Sequence, residues 1–368
     1  MNQRPAWLDP QGASLWERAR AMVRAPWGTI HDDAVDRLAR DLFAWQRARN
    51  APYARYAAAL LGEREPAHVD DIPALPTDVF KHARVACFDE RYDARVFATS
   101  GTTRDVRGLH PFADVSLYAE ACLVGAARWL LPSARYRCVF LAEDERAAPT
   151  SSLTFMLVRF AERWGDGGDA FYVRDARVDV EAVTRALDAA VRDGEPVALL
   201  GTTWAFVHLD EALGDRRWAL PTGSVAMPTG GTKGRARELS DDALRAAVRE
   251  RYGLPREGVI AEYGMTELSS QAWEATREGA PGRFRAPPWM RVTVVDPSTL
   301  RPVPAGEVGF VRVVDLLNVG SAVAVQTSDL GRVDDGGLAL LGRAPDATPR
   351  GCARAMDALL SGDDPVSP

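Results

Sequence analysis

The chain has 368 residues, enough for one large α/β domain or two smaller ones with a substantial core. Its 45 basic residues against 51 acidic ones leave a formal net charge of −6, which argues against a general nucleic-acid binder or a protein held at membranes by basic charge. Four cysteines, Cys87, Cys122, Cys138 and Cys352, show no CxxC spacing, so neither a disulfide framework nor a structural zinc site is expected. The N-terminal stretch lacks the apolar centre of a secretory signal, and aliphatic runs such as Val197 to Leu200 are too short to cross a bilayer. The expected compartment is a reducing cytoplasm.

The first seventy residues read as helical. AVDRLARDLFAWQRAR places Val35, Leu38, Leu42, Phe43 and Trp45 at three- and four-residue spacings, the signature of an amphipathic face. YARYAAALLG predicts a second helix ending at Gly62, and IPALPTDVFK an extended link into a short helix opened by Thr77. Further on, strand and helix alternate. Strands are expected at 136–142, 169–173, 196–201, 223–231 and 258–264, and helices at 152–164, 180–193, 203–213 and 239–253, the last opened by Ser240. Apolar runs separated by helices indicate a parallel or mixed sheet covered on both faces. Beyond residue 285, MRVTVVD, VGFVRVVDL, SAVAVQ and LALLG read as short β segments of a smaller lobe.

Four segments could carry chemistry, and each is expected at a strand end or turn, where open α/β sheets collect ligands. FATSGTTRDVRGLH, Phe97 to His110, holds four hydroxyls and two glycines; it is either a polar turn or a loop that lets its backbone and hydroxyls approach an anion. It matches neither a Walker loop nor GxGxxG. EYGMTELSSQ follows a buried strand: Tyr263 offers a flat face, Thr266 a donor, and Glu267 a hard oxygen ligand for Mg²⁺, or else Thr266 caps a helix. In QTSDLGRV, Asp329 could take ribose hydroxyls or open a turn; in LGRAPDATPRGC, Gly342-Arg343 could mark a hinge with a cationic contact.

The order SGTT, YGMTE, TSD, GR resembles that of adenylate-forming enzymes: acyl-CoA synthetases, peptide-synthetase adenylation domains and luciferases. More closely, the chain resembles the LuxE-like acyl-protein synthetases of bacterial luminescence, through LPTDVFK, SGTT, GTTWAFVHL at 201–209, TGGTKGR at 229–235, EYGMTELSSQ and LGRAPDATPRGC. The resemblance covers most of the chain from about residue 70 onward. It implies the large α/β domain of that superfamily, with mixed sheets covered by helices, a β-rich lobe, and a missing or truncated C-terminal lobe. The corresponding parts are a helical segment over 1–70, a nucleotide-binding core over 71–284, the β-rich lobe over 285–345 and a short tail over 346–368.

The resemblance also implies roles. Ser100, Gly101, Thr102 and Thr103 would lie over the phosphates of ATP. Tyr263, with Gly264, would sit at adenine beside Gly230, Gly231 and Thr232. Thr266 would contact the α-phosphate, Glu267 would hold Mg²⁺, and Asp329 with Arg343 would bind ribose. Catalysis of acyl-adenylate formation would rest on positioning and charge neutralisation. The chain departs from the pattern in reading SGTTR for SGTTG, Arg107 for a lysine, and TSD for TGD. Only 25 residues follow Arg343, so the lysine of the C-terminal lobe would be absent, its charge supplied by Lys233 or Arg107. Cys352, between Arg350 and Arg354, would carry the acyl group as a thioester before transfer, its thiolate favoured by those cations. The other three cysteines read as core, and His110 and His208 as local hydrogen-bonding groups. Trp204, Phe206, Phe155 and Met156 line an acyl pocket or pack the core. The expected partners are a carboxylic acid and an acyl-accepting protein (a reductase or acyl carrier protein) or CoA, with no nucleic acid and no membrane span. Two other readings stay open: loading of an acyl carrier protein or CoA in a specialised pathway, and a nucleotide-binding partner subunit without turnover.

Overall fold

The computed structural model describes residues 7–100, 106–165, 167–230 and 240–344. They fall into two compact units, the first made of 1–121, 264–271 and 283–368, the second of 122–263 and 272–282.

In the second unit, three parallel strands, Arg137–Leu141, Val197–Thr202 and Val225–Thr229, pair with the middle one in sequence also central in space. Their near-continuous apolar character follows from burial on both faces. Val139, Leu141, Leu199 and Ala226 pack in one core with Leu187, Phe206 and Tyr252 from the helices Val180–Asp193, Thr203–Leu213 and Asp241–Tyr252. The helix ends are set by local chemistry. Asp179 and Ser240 accept hydrogen bonds from Ala182 and Ala243, and Gly194 and Gly253 end their helices in the left-handed region that glycine enters without penalty. Two expected strands are shorter than read. Residues 169–173 contribute an isolated parallel bridge from Phe171 to Phe140 and Val173 of the two-residue strand Val173–Arg174, which the turn through Asp175 and Ala176 at positive φ ends. Residues 258–264 contribute the strand Glu262–Tyr263, which pairs with Ala272–Ala275; before it, Val259 forms an isolated parallel bridge to Ala226, with the Ile260 N–H donating to the Ala226 carbonyl.

In the first unit, the strands Met290–Val295, Val308–Asp315, Ala324–Asp334 and Gly337–Arg343 form an antiparallel meander. Leu75–Pro76 pairs in parallel with Val325 and Gln326. Thr77 does not open the next helix as expected; its N–H goes to Gln326, and the single turn Val79–His82 starts after Asp78. A separate hairpin, Arg95–Ala98 with Leu109–Phe112, places Phe97 opposite His110. Where the Ser/Thr/Gly segment leaves and rejoins the described residues, Thr99 N–H donates to the Gly108 carbonyl and Gly108 N–H to Thr99 Oγ1, with Arg107 donating to the carbonyls of Thr99 and Ala98.

The N-terminal helices Pro10–Arg24, Asp32–Arg47 and Ala51–Leu61 belong to this unit. Val35, Leu38, Leu42, Phe43 and Trp45 are all buried, as their spacing requires, and Gly62 ends the third helix with φ at 60°. From the same helices, fully buried Gln46 donates to the carbonyls of Asn318 and Val319, at 2.7 and 3.1 Å, and accepts from the N–H of Val323 at 2.8 Å. Gln46→Leu leaves these backbone groups buried and unpaired. We expect a loss of about 3 kcal/mol or more in denaturant unfolding, well beyond a typical surface substitution.

Candidate functional site

The YGMTE segment crosses from one unit to the other between Tyr263 and Gly264. On the first-unit side it forms a turn, not a helix, so Thr266 is not a helix cap. The turn is fixed by carbonyls and hydroxyls. His110 Nδ1 lies 2.8 Å from the Thr266 carbonyl oxygen, which can only accept, so the proton sits on Nδ1. The ring packs against Phe112 and Phe80, and burial pushes the imidazole down to about 4, keeping it neutral. The expected hydrogen-bonding role of His110 is met. His208 is half-exposed, edge-on to Trp204.

Asn318 donates to the Glu267 carbonyl at 2.9 Å and accepts from Ser269 Oγ at 2.6 Å. Asp315, fully buried, accepts from Ser269 N, Ser270 Oγ and Leu317 N, and burial pushes its carboxyl up to about 6. Trp289 donates to Ser270 Oγ at 3.1 Å. None of Asp315, Asn318 or Gln46 was marked by sequence reasoning. A polar residue inside the apolar runs VRVVDLLNV and FAWQ was the only available signal.

On this frame the structure brings together three expected residues. Arg343 Nε donates to Asp329 Oδ1 at 2.9 Å, and both are electrostatically coupled to Glu267. Glu267 is buried, and desolvation pushes its carboxyl up to about 7; its own backbone N–H, Arg343 and Lys81 work against that shift, and Asp329 works with it. Lys81, from LPTDVFK, is thus a cation at this site that sequence reasoning did not name; it also pairs with Asp78 at 2.6 Å. Asp329 does not end a β segment as expected. It lies inside Ala324–Asp334, beside an irregularity in the pairing with Gly337–Arg343. Arg107, offered as a replacement cation, is engaged with the carbonyls of Thr99 and Ala98. Ser100 and Gly230 are exposed, the latter at positive φ.

In the second unit, Tyr263 is buried in its strand. Its neighbour Glu262 accepts from Thr229 Oγ1 at 3.0 Å, and burial pushes this carboxyl up to about 7. Buried Glu274 accepts from the N–H groups of Ala261 and Gly282 and pairs with Arg245 at 2.7 Å, holding the strand that carries Tyr263. Phe155, Met156 and Phe206 are buried in this unit, and Trp204 packs against its core. Cys87, Cys122 and Cys138 are buried and outside any disulfide, as expected of core residues. Gly101, Thr102, Thr103, Gly231, Thr232, Lys233 and Cys352 lie outside the described residues.

Among the described residues no cluster of three or more metal-ligating side chains exists, and no helix is long and apolar enough to cross a membrane. The donor set at Glu267 and Asp329 nevertheless suits Mg²⁺, which takes one or two carboxylate oxygens and leaves its other positions to phosphate and water. A buried carboxyl with a raised pKa is a site where a proton or a cation relieves the cost of desolvation.

The family model for acyl-protein synthetase, LuxE, matches residues 168–361, more than half of the chain. The chain belongs to the LuxE acyl-protein synthetase family. It is an AMP-forming ligase of the kind that activates an acyl group and passes it to a protein. Two curated relatives are long-chain-fatty-acid–luciferin-component ligases. That of Vibrio harveyi is 21% identical over 339 residues, covering 88% of this chain and 87% of the relative; that of Aliivibrio fischeri is 22% identical over 317 residues, covering 82% and 79%. Among solved structures, an open form of 2-hydroxyisobutyryl-CoA ligase with 2-HIB-AMP and CoA aligns with TM-score 0.61 at 16% identity, over 87% of this chain and 76% of that one. ATP-bound MatB from Rhodopseudomonas palustris aligns with TM-score 0.50 at 19% identity, over 68% and 48%. These likenesses show a mixed α/β fold of the adenylate-forming ligase type.

Because Glu267 has a folded pKa near 7 against 4.5 ordinarily, the folded protein holds its proton more tightly, and this residue's contribution to stability falls as pH rises from about 4.5 to 7. Glu267→Gln should therefore be more stable than the parent by about 3 kcal/mol at pH 8, and by under about 1 kcal/mol at pH 5, in denaturant unfolding without added metal. A gap independent of pH would place the carboxylate in water.

Proposed function

We propose that this LuxE-family chain activates a fatty or related carboxylic acid with ATP and passes the acyl group to a protein thiol. The single observation that carries the site assignment is the Glu267–Asp329–Arg343 group, where a desolvated carboxylate stands beside a second carboxylate paired with arginine. The relatives' names support a long-chain fatty acid as substrate and a protein as acceptor.

In the first step a carboxylate oxygen attacks the α-phosphorus, forming the acyl–phosphate bond as pyrophosphate leaves. Glu267, with Asp329 near it, would hold Mg²⁺, which when bound neutralises phosphate charge. Thr266 would donate to the α-phosphate, its loop held by His110 and Asn318. Asp329 and Arg343 would orient the ribose, and Lys81 would add positive charge close to Glu267. The Ser100 to Thr103 segment would cover the phosphates. In the second unit, Tyr263, Gly230, Gly231 and Thr232 are proposed as adenine contacts on the family's pattern alone. In the second step a thiolate attacks the acyl carbonyl carbon and AMP leaves, giving a thioester. Cys352 is proposed as that nucleophile and Lys233 as a further cation.

Carboxylate-dependent return of labelled pyrophosphate to ATP tests the first step. We expect exchange with fatty acids, lowered about a hundredfold or more by Glu267→Gln and by Asp329→Ala. Absence of exchange with every acid in a panel of fatty and aromatic acids would overturn the reading. For the second step, labelled acyl groups should appear on the chain as a hydroxylamine-labile bond and vanish in Cys352→Ala, with pyrophosphate exchange retained.

A further inference from the structure

A cavity of about 730 Å³ lies wholly within the first unit and shares no lining residue with the Glu267 group. It is bounded by the end of the helix Ala51–Leu61, the segment 64–74 and the turn at 299–302. Leu60, Leu61, Pro66, Ile72, Leu300 and Pro302 give it aliphatic walls, and Arg312 and Gln326, each 3% exposed, contribute to its lining. The volume falls within the range of about 300–1,000 Å³ typical of small-molecule sites.

Its lining charges are equal in number, Arg64, Arg301 and Arg312 against Glu65, Asp70 and Asp71, but unequally satisfied. Three carboxylates line it, and each has a partner in the protein. Glu65 pairs with Arg47 at 3.3 Å, Asp70 takes a two-pronged contact from Arg291 at 3.1 and 2.8 Å, and Asp71 accepts from the His68 N–H at 3.0 Å. The arginines lining the cavity are less well matched. Arg312 donates Nη2 to the carbonyls of Val69 and Ile72, but its buried Nη1 has no hydrogen-bond partner, the nearest carboxylate oxygen being Asp70 Oδ1 at 3.6 Å. Arg64 donates only to the carbonyls of Leu61 and Leu60. The Arg301 guanidinium makes no hydrogen bond or ion pair with any described residue. Arg47 and Arg291, from outside the lining, thus neutralise Glu65 and Asp70, while Arg64, Arg301 and Arg312 keep donors that no carboxylate takes by a hydrogen bond. Leu300, next to Arg301, is held at φ 58°, a region that non-glycine residues enter only at a cost, so a strained backbone presents an aliphatic side chain to the cavity.

We propose that this cavity binds an organic anion with one carboxylate or phosphate head and an aliphatic body, separately from the ATP site. The head would meet Arg301 and Arg64 through charge-assisted hydrogen bonds, and the body would lie against Leu300, Leu60 and Pro302. The proposal does not depend on the adenylation reading.

Hydrogen exchange on the full chain, read by mass spectrometry, tests it with three probes: octanoate, octyl phosphate and 1-octanol. Octanoate or octyl phosphate should slow exchange in 60–74 and 296–302, and which of them does so identifies the head group; 1-octanol should not. Arg301→Glu should raise the concentration needed for half-protection by at least about tenfold, as loss of a charged contact requires. Leu300→Gly, which removes the wall while relaxing the backbone, should weaken protection by an independent route. Protection by neither anion, equal protection by 1-octanol, or unchanged protection in both variants would overturn the proposal.

Discussion

The interaction on which the first unit's site depends is the hydrogen bonding of Asn318 and Asp315 to residues 267–270. Asn318 holds the Glu267 carbonyl and the Ser269 hydroxyl, while Asp315 takes the Ser269 N–H and the Ser270 hydroxyl. A turn so held has few ways to relax, so the side chain of Glu267 stays in a desolvated place although solvation would favour its removal. The frame is itself anchored: Gln46 binds both sides of the 318–323 loop, and Asn50 donates to Ser321. The N-terminal helices thus support a candidate site that is far away in sequence.

Positioning and charge are what acyl-adenylate formation needs, since no protein nucleophile takes part in that step. A buried carboxyl with its pKa raised to about 7, a second carboxylate paired with arginine, and a lysine close by form a candidate site whose electrostatics would change if a cation and a polyphosphate bound there. His110 supports the same turn without titrating near pH 7, because its buried ring is neutral and its one fixed hydrogen bond goes to a carbonyl. The second unit shows the same economy, with Glu274 satisfying two backbone donors around the strand of Tyr263.

Much of this was legible in the sequence because its cause is local. Helical spacing exposed the buried face of Val35 to Trp45, and Ser240 and Gly62 act within a turn of their own position. The proximity of Glu267, Asp329 and Arg343 came from the order of short motifs. The rest depends on contacts between residues 45 to 277 positions apart. Gln46 meets Val323, and Asp315 meets Ser270, through topology that no local spacing encodes. Thr77 was misread as a cap because its N–H is taken by Gln326, and the strand at 258–264 was overdrawn because apolar character marks burial, not pairing. Lys81 went unnamed for the same reason: its neighbour Glu267 is distant in sequence.

The most direct test of the central claim is calorimetric titration of ATP with Mg²⁺ at pH 7 in buffers of differing ionisation enthalpy. A Glu267 carboxyl with a pKa of about 7 should release on the order of half a proton per chain as the metal–nucleotide complex binds. Release should vanish in Glu267→Gln. Binding with no proton released, or binding as tight in excess chelator, would contradict the assignment of this buried carboxylate to the nucleotide site.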